Sequence, residues 1–327
     1  MFLHNPQLVK APDLYDNAPP FGTEAVMRLK SFEFSYPVAL FGLALTSLFW
    51  AGNALTARYI SADLSPLALS FWRWCLPSLY MLPFCVMYVR RYRRVIVEYR
   101  WKILCLAALG IGTYNSLLYT AAAYTTAINI TLVSSTLPFG TLLCSLWLLK
   151  SRPAKREISG ALLSCAGAIT ILSHGQPERL FNLHFNSGDL IMFAAMLWWS
   201  LYSVLYKKWA IPIPAMALLI ILIPLGTLFI LPLFFVQNNF NLGITLNHDI
   251  IWALAYVATL PSVLSYWLWN KGVDVVGPGI ASIFSYLIPV FTAMLSIPLL
   301  GEELHIYHGV GALLALAGLW LASMRKG

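Results

Sequence analysis

Apolar residues along this chain fall into ten long segments, separated by short stretches that carry charged residues, prolines and glycines. Each segment is close to the roughly 20 residues that a helix needs to cross the hydrocarbon core of a bilayer. The predicted helices span residues 37–60, 66–89, 102–124, 127–149, 156–174, 188–208, 212–236, 249–271, 278–300 and 304–324. Because backbone groups in lipid must be hydrogen-bonded within their own segment, and no strand pattern competes, we expect an all-α polytopic membrane protein.

The middle of the chain recurs in its C-terminal part at a spacing of 151 residues, without a gap. The aligned pairs include Pro138 with Pro289, Gly160 with Gly311, and Gly167 with Gly318. Both copies lie in long apolar segments, so the sequence predicts two related halves, an arrangement that many transporters use to form a substrate site between repeats.

Each predicted half contains five helices, which is an odd number. The second copy must therefore enter the membrane from the opposite side, so the ten transmembrane helices form two inverted five-helix repeats. Such repeats permit two near-equivalent conformations, one open to each side of the membrane. The predicted organisation is a cytoplasmic N-terminal tail (1–36), a first repeat (37–174), an outer linker (175–187) and a second repeat (188–324).

Composition and charge agree with this class, since 59% of residues are apolar, 10% are charged and the mean hydropathy is +0.73. With both termini in the cytoplasm, all but three of the 21 basic residues fall on the inner side, the exceptions being Arg58, Arg73 and Arg179. The net charge of +8 then reflects membrane topology. The expected partners are the anionic lipids of the bilayer, not nucleic acid.

The sequence offers no motif for a cofactor or a metal. All five cysteines lie within apolar runs, so neither a disulfide framework nor a metal-ligand spacing is predicted. An enzyme would need a nucleophile with its base or paired carboxylates within the spans, and these are not found. A receptor or scaffold stays an alternative of another class, although it would not require inverted repeats.

Several short motifs resemble the ten-helix, EamA-type branch of the drug/metabolite transporter superfamily. They are Phe49-Trp50-Ala51-Gly52-Asn53 followed by Arg58, Pro66 with Arg73, the mid-helix Pro138 and Pro289, and Leu299-Leu300-Gly301-Glu302-Glu303. The resemblance covers residues 37–324. It implies a multi-pass carrier in a bacterial inner membrane, with amino acids as the substrates it points to and with drugs, purines or sugar phosphates as alternatives.

Polar and aromatic residues near mid-membrane are the predicted lining of a substrate cavity. On helix six, Trp199, Tyr202 and Tyr206 share one face, and on helix eight Ser262, Tyr266 and Trp269 share another. The complete set of candidate substrate-binding residues is Trp50, Asn53, Tyr114, Asn115, Tyr119, Ser134, Trp199, Tyr202, Tyr206, Ser262, Tyr266, Trp269, Ser285 and Tyr286. This lining reads as neutral and aromatic, which favours aromatic or apolar amino acids.

Five further residues are candidates for gating or for helix geometry. Pro138 and Pro289 are related by the repeat and predict bends in helices four and nine. Arg73 is predicted within helix two, as a partner of a helix-end carbonyl or as a contact for an anion. Lys271 and Asp274 flank the predicted inner end of helix eight. The oligomeric state is left open between a monomer and a homodimer.

Overall fold

The computed structural model describes residues 34–60, 63–181, 186–237, 239, 241, 243–244, 247–301, 303 and 305–324. Nearly all of the predicted N-terminal tail (1–36), together with Glu302, lies outside the described residues. Besides two short helices, Arg93–Glu98 and Glu178–Phe181, the described part contains no β-strand and ten long helical segments. They are α1 (Tyr36–Tyr59), α2 (Pro66–Tyr80 and Leu82–Arg91), α3 (Arg100–Ala107, Ala108–Thr113 and Tyr114–Tyr124), α4 (Ala127–Ser134 and Leu137–Leu148), α5 (Lys155–Leu172), α6 (Ser187–Trp209), α7 (Ala215–Gln237), α8 (His248–Ala258, Thr259–Leu264 and Ser265–Val276), α9 (Pro278–Ile283, Phe284–Tyr286 and Leu287–Leu300) and α10 (Ile306–Ser323).

Eight of these helices are long and apolar enough to cross a membrane. The helix α2 falls short because it is broken at Met81 into two shorter pieces, and α5 because three charged residues, Lys155 to Glu157, open its 18 residues. The all-α polytopic fold is therefore confirmed. That α2 and α5 also cross the bilayer stays a prediction.

The helix termini lie on two opposite faces of the bundle. Helices α2, α4, α6, α8 and α10 begin at one face, which we call the capped face because a side chain accepts a hydrogen bond from an N–H of the first turn in each of them. Helices α3, α5, α7 and α9 begin at the opposite face. We call it the basic face, since it carries the arginines at 90–94 and the Lys207-Lys208 pair.

The structure repeats itself at the spacing of 151 residues. Adding 151 to the bounds of α5 gives those of α10, and adding it to the start of α1 gives the start of α6. A Cβ atom on Gly160 would lie 2.5 Å from the carbonyl oxygen of Gly318, and one on Gly167 would lie 2.5 Å from that of Gly311. Contacts in this reversed order require α5 and α10 to run antiparallel. Equivalent helices therefore point in opposite directions, as inverted repeats demand.

Two irregular turns are also related by the repeat. The helices α3 and α8 each contain a π-helical turn, Ala108–Thr113 and Thr259–Leu264, whose bounds differ by 151. Such turns shift the backbone hydrogen-bonding pattern and are frequent at functional sites. The carbonyls of the equivalent residues Gly110 and Pro261 accept hydrogen bonds from side chains of other helices.

Side chains that lie on the pseudo-twofold axis bond to residues 151 positions away. Asn115 Nδ2 donates to Tyr266 Oη (3.2 Å), Tyr286 Oη to the carbonyl of Ser135 (2.8 Å), and Ser164 Oγ to the carbonyl of Ala315 (3.0 Å). A bond between equivalent positions is possible only where the two repeats meet. The axis therefore passes between α3 and α8, between α4 and α9 and between α5 and α10, close to these bonds.

Most predicted helix ends are within three residues of the observed ones, and three features differ further from the sequence-based expectation. The helix α8 continues to Val276 instead of ending at 271, so Lys271 and Asp274 lie on the helix. The linker 175–187 contains a short helical turn, Glu178–Phe181. Helix two is interrupted at Met81, two residues before Pro83 in the first turn of the next helical piece, because proline supplies no N–H for a continuous ladder.

Candidate substrate cavity

A cavity of about 200 Å³ lies between the middle of the bundle and the capped face. Its walls come from both repeats. The lining residues are Trp50, Asn53, Ala54, Arg73, Tyr114, Leu118, Ile130, Thr131, Ser134, Ser135, Leu137, Ala168, Met196, Trp199, Tyr266, Ser285, Tyr286, Ile288 and Pro289. Most first-repeat members stand in the halves of their helices that face the capped side. The opposite ends of the helices contribute nothing to this cavity.

Eight of the predicted substrate-binding residues line the cavity: Trp50, Asn53, Tyr114, Ser134, Trp199, Tyr266, Ser285 and Tyr286. The other six, Asn115, Tyr119, Tyr202, Tyr206, Ser262 and Trp269, lie outside its wall. Several of these six hold the wall in place. Asn115 donates to Tyr266 Oη, and Tyr119 and Ser262 contact Arg73.

Aromatic rings form one continuous wall of the cavity, with Trp199 at its centre. The ring of Trp199 lies 4.7 Å from that of Tyr114, 5.0 Å from that of Tyr266 and 5.5 Å from that of Trp50, measured between centroids. The contacts to Tyr266 and Trp50 are edge-to-face, an arrangement that aromatic quadrupoles favour. Trp269 stands behind Trp50 and Trp199, at 5.2 and 5.6 Å.

Arg73 brings one positive charge to this wall, so the lining is not wholly neutral as the sequence suggested. Its side chain is 3% exposed. Nε donates to Ser262 Oγ at 2.6 Å, one terminal nitrogen donates to the Pro261 carbonyl at 3.0 Å, and the other to Tyr119 Oη at 3.5 Å. The Pro261 carbonyl, in the π-helical turn of α8, also accepts from Trp50 Nε1. The carbonyl that accepts from Arg73 thus lies within α8, not at a helix end as one of the sequence-based alternatives had it.

Two buried polar atoms of cavity-lining residues have no hydrogen-bond partner in the described part of the chain. They are Asn53 Oδ1 and Trp199 Nε1. Leaving a buried polar group unpaired costs about 1–3 kcal/mol, which native structures generally avoid. Both residues line the cavity, so each keeps an unused hydrogen-bonding atom at its wall.

The helices α6 and α8 are tied together between the cavity and the basic face. The bonds run from Tyr202 Oη to Asn270 Oδ1 (3.0 Å), from Trp269 Nε1 to Ser203 Oγ (3.1 Å) and from Tyr206 Oη to Asp274 Oδ2 (3.4 Å). We call these three bonds the α6–α8 ladder. Lys207 adds a bond from its ammonium group to the Asp274 carbonyl. The predicted gating residue Asp274 thus pairs with Tyr206 of another helix, and Lys271 stands one turn away from it on α8.

The repeat-related prolines stand at breaks in their helices. The helix α4 restarts at Leu137 after Ser134, and α9 restarts at Leu287 after a single 3₁₀ turn. Pro289 lines the cavity, whereas Pro138 is buried outside it. The predicted interruptions are present, and a hinge function for them stays a prediction.

Apolar lining residues were missed by the sequence analysis, among them Leu118, Ile130 and Met196. Helical spacing could have found all three, because Leu118 follows Tyr114 by four residues and Met196 precedes Trp199 by three. Ile130 likewise precedes Ser134, a predicted lining residue, by four residues. In the described residues, no group of three or more His, Cys, Asp or Glu side chains could hold a metal ion.

The family model for EamA-like transporters matches residues 37–173 and again residues 186–324. The chain belongs to the EamA-like transporter family. The two matched segments contain the two structural repeats and every residue of the cavity. Members of this family are transporters, so the chain is a multi-pass membrane transporter.

Three relatives of the chain are similar to it over 90% or more of their own length. An uncharacterized transporter of Archaeoglobus fulgidus is 28% identical, with 87% of this chain and 96% of that protein covered. The uncharacterized transporter YyaM of Bacillus subtilis is 25% identical over 85% and 90%, and protein PecM of Dickeya dadantii is 26% identical over 92% and 96%. One solved crystal structure shares the fold, with a TM-score of 0.70 and 18% identity over 87% of this chain and 95% of the other.

Proposed function

We propose that this EamA-like protein is a secondary transporter that exports small metabolites by alternating access, with aromatic or apolar amino acids as its favoured substrates. The observation that carries the proposal is the aromatic cavity between the two repeats. Its volume of about 200 Å³ suits one small solute. Rings at 4.7–5.5 Å from Trp199 provide apolar area for a side chain. Unpaired polar atoms nearby provide partners for its polar end.

The position of the cavity supports a state that is open towards the capped face. On that side the first-repeat helices leave space, while the α6–α8 ladder joins the helices on the basic side. The excess of lysine and arginine at the basic face supports a cytoplasmic position for that face. The described conformation is then the outward-open one, in a bacterial inner membrane with both termini inside.

The alternatives are carriers of other solutes with the same fold. Purines and cationic drugs would also stack on aromatic rings. A sugar phosphate would be expected to need several basic residues, whereas the described lining has Arg73 as its single basic side chain. If the protein were a receptor or scaffold without transport, the cavity between the two inverted repeats would have no explanation.

Efflux from sealed vesicles that contain the pure protein tests the proposal. A panel of radiolabelled phenylalanine, leucine, adenine and a cationic dye is loaded inside, and release is followed. Phenylalanine is expected to leave fastest. Efflux of dye or adenine alone would replace the amino-acid assignment, and no efflux of any compound would contradict transport.

The Trp199→Ala variant links this efflux to the cavity. The variant loses apolar contact area with the substrate, which contributes about 25 cal/mol of binding free energy per Å². It also loses a ring–ring contact, which contributes roughly 0.5–1.5 kcal/mol. The half-saturating phenylalanine concentration should rise on the order of tenfold. Trp320→Ala is the matched control, because that tryptophan is 67% exposed on α10, away from the cavity. Equal effects of both variants would contradict the assigned site.

A further inference from the structure

Arg73 is a buried cation that has no carboxylate partner among the described residues. Its three hydrogen bonds go to two hydroxyl oxygens and one carbonyl, all of them neutral. Ionised side chains in the membrane interior are costly, and they are normally paired with an opposite charge. The neutral bonds orient the guanidinium group but leave its charge uncompensated.

The hydrogen-bonding capacity of Arg73 is also incompletely used. A guanidinium group has five N–H donors in a planar fork, and the structure assigns partners to three of them. Because Arg73 lines the cavity, a solute that enters can reach the group. The bonds to Pro261 and Ser262 fix the guanidinium on α8, so little ordering is required when a ligand binds.

A second donor on the same cavity wall has no partner at all among the described residues. Trp199 Nε1 is buried and unpaired, and the indole N–H can only donate. Both the Arg73 guanidinium and the Trp199 N–H can bond to a hydrogen-bond acceptor of the solute. Because Arg73 is positively charged, the acceptor that also compensates its charge is an anion. The unpaired Asn53 Oδ1 is of the opposite kind, since it can accept a hydrogen bond from an ammonium or hydroxyl group of the same solute.

We propose that Arg73 is the anion-binding residue of the cavity and that the transported solute must carry one negatively charged group, read by Arg73 together with Trp199 Nε1. This inference rests on the proposed function, because it takes the cavity as the transport site. The group we assign is a carboxylate, whose two oxygens match the guanidinium fork and whose single charge equals that of Arg73. A cationic or uncharged solute would leave Arg73 uncompensated.

Binding of a matched series of phenyl compounds to the purified full-length protein, followed by its tryptophan fluorescence, tests the proposal. The series is 3-phenylpropionate, L-phenylalanine, L-phenylalaninamide, 2-phenylethylamine and phenyl phosphate. The two carboxylates should bind at least about tenfold more tightly than the amide and the amine, the usual effect of one charged hydrogen-bonded pair. Phenyl phosphate tests whether the anion that the cavity binds is a phosphate ester and not a carboxylate. Arg73-dependent binding tighter than that of 3-phenylpropionate would support the anion site and name phosphate esters as its ligands.

Three variants separate charge from structure. Arg73→Met should abolish the preference for anions, and Arg73→Lys should retain it with weaker binding, because lysine keeps the charge but lacks the fork. Trp199→Phe keeps an aromatic ring but removes the indole N–H, so it should reduce the carboxylate advantage even if Arg73→Met does not fold. Arg58→Met, at the end of α1 outside the cavity, is the matched control and should leave the preference unchanged.

The failure of this inference can be told from the failure of the proposed function. If all five phenyl compounds bind equally to the wild-type protein and Trp199→Ala weakens them all, the cavity site stands and the anion inference is wrong. The anion inference is also wrong if folded Arg73→Met keeps the preference for carboxylates. If no compound binds in the cavity, the proposed function itself is contradicted.

Discussion

The two repeats share a backbone but differ in how their equivalent helices are joined. In the second repeat, α6 and α8 are held by the three bonds of the α6–α8 ladder. Subtracting 151 from the ladder residues places their equivalents on α1 and α3, where Tyr206 and Asp274 correspond to Leu55 and Ala123. These two side chains are apolar, so they hold no counterpart of the Tyr206–Asp274 bond, and neighbouring residues of α1 and α3 line the cavity.

This difference teaches how an inverted duplication can be given a preferred state. Identical repeats would make the two open states equal in free energy, because each half could adopt either arrangement. Polar side chains acquired in only one copy stabilise the closure of that copy. We therefore attribute the closed basic face to the ladder and the open capped face to its apolar counterpart.

The helices α5 and α10, unlike α6 and α8, make contacts that are the same in both repeats. There the glycines occur in both repeats, and each allows a backbone contact with the other helix. This pair is the symmetric scaffold, whereas α1, α3, α6 and α8 form the asymmetric core. Substitutions in the two parts should therefore have different consequences.

The largest effect is expected in the scaffold, for Gly167→Leu. A Cβ atom there would lie 2.5 Å from the Gly311 carbonyl and 2.6 Å from the Ala315 nitrogen, so two backbones must move apart. Forcing atoms into a packed interface costs on the order of 1–3 kcal/mol. Thermal unfolding, followed by size-exclusion chromatography of the detergent-solubilised protein, measures the loss.

Gly309→Leu, at the capped end of α10, provides the control. A Cβ atom at Gly309 meets nothing within 4 Å, so this variant should unfold at the wild-type temperature. Equal stability of the two variants would show that α5 and α10 are not packed as described.

An intermediate effect is expected in the ladder, for the double variant Tyr202→Phe/Tyr206→Phe. It removes two hydrogen bonds of roughly 0.5–1.5 kcal/mol each, which is enough to shift a two-state population several-fold. A cysteine introduced at the cavity-lining Ser285 should then react faster with a thiol reagent from the basic face and more slowly from the capped face. Tyr124→Phe, at an exposed tyrosine outside the ladder, is the control. If the cysteine at position 285 reacts at the same rates with and without the two substitutions, the ladder does not control which face of the protein is open.

The smallest effect is expected for the repeat-related prolines. Pro138→Ala and Pro289→Ala restore a backbone N–H at the breaks of α4 and α9, which should stiffen both helices and slow turnover by a few-fold without loss of protein. Pro289 lines the cavity, so its variant should be the more strongly affected of the two. If efflux rates in vesicles are the same for both variants and the wild type, the prolines are packing features only.

The parts of the fold that depend on local apolar length and on the duplication were predictable. Ten segments and a shift of 151 residues were enough to derive helix order and inversion, because span length is set by bilayer thickness. The π-helical turns were not predictable, since neither Ala108–Thr113 nor Thr259–Leu264 contains a residue type that requires one.

The site was predictable to the extent that polarity alone marks a residue. Trp50, Trp199 and Tyr266 were found because large aromatic residues at mid-membrane are conspicuous. Whether such a residue faces the cavity or stands behind the wall depends on helix rotation, which is set by packing. Trp269 and Tyr202 were therefore grouped with the lining, although the structure uses them in the ladder. The position of the Arg73 side chain in the bundle likewise depends on packing, because it is set by the location of the Pro261 carbonyl on α8.

Cross-linking of two equivalent cysteine pairs tests the asymmetry between the repeats most directly. The five native cysteines are first replaced. One cysteine pair is then introduced at positions 206 and 274, where Tyr206 Oη and Asp274 Oδ2 of the wild-type protein lie 3.4 Å apart. The other pair is introduced at the equivalent positions 55 and 123. A short bifunctional thiol reagent is expected to join the 206–274 pair in the resting protein and thereby stop efflux, while the 55–123 pair reacts only during transport. Ready cross-linking of the 55–123 pair at rest, or full efflux with the 206–274 pair joined, would contradict the account.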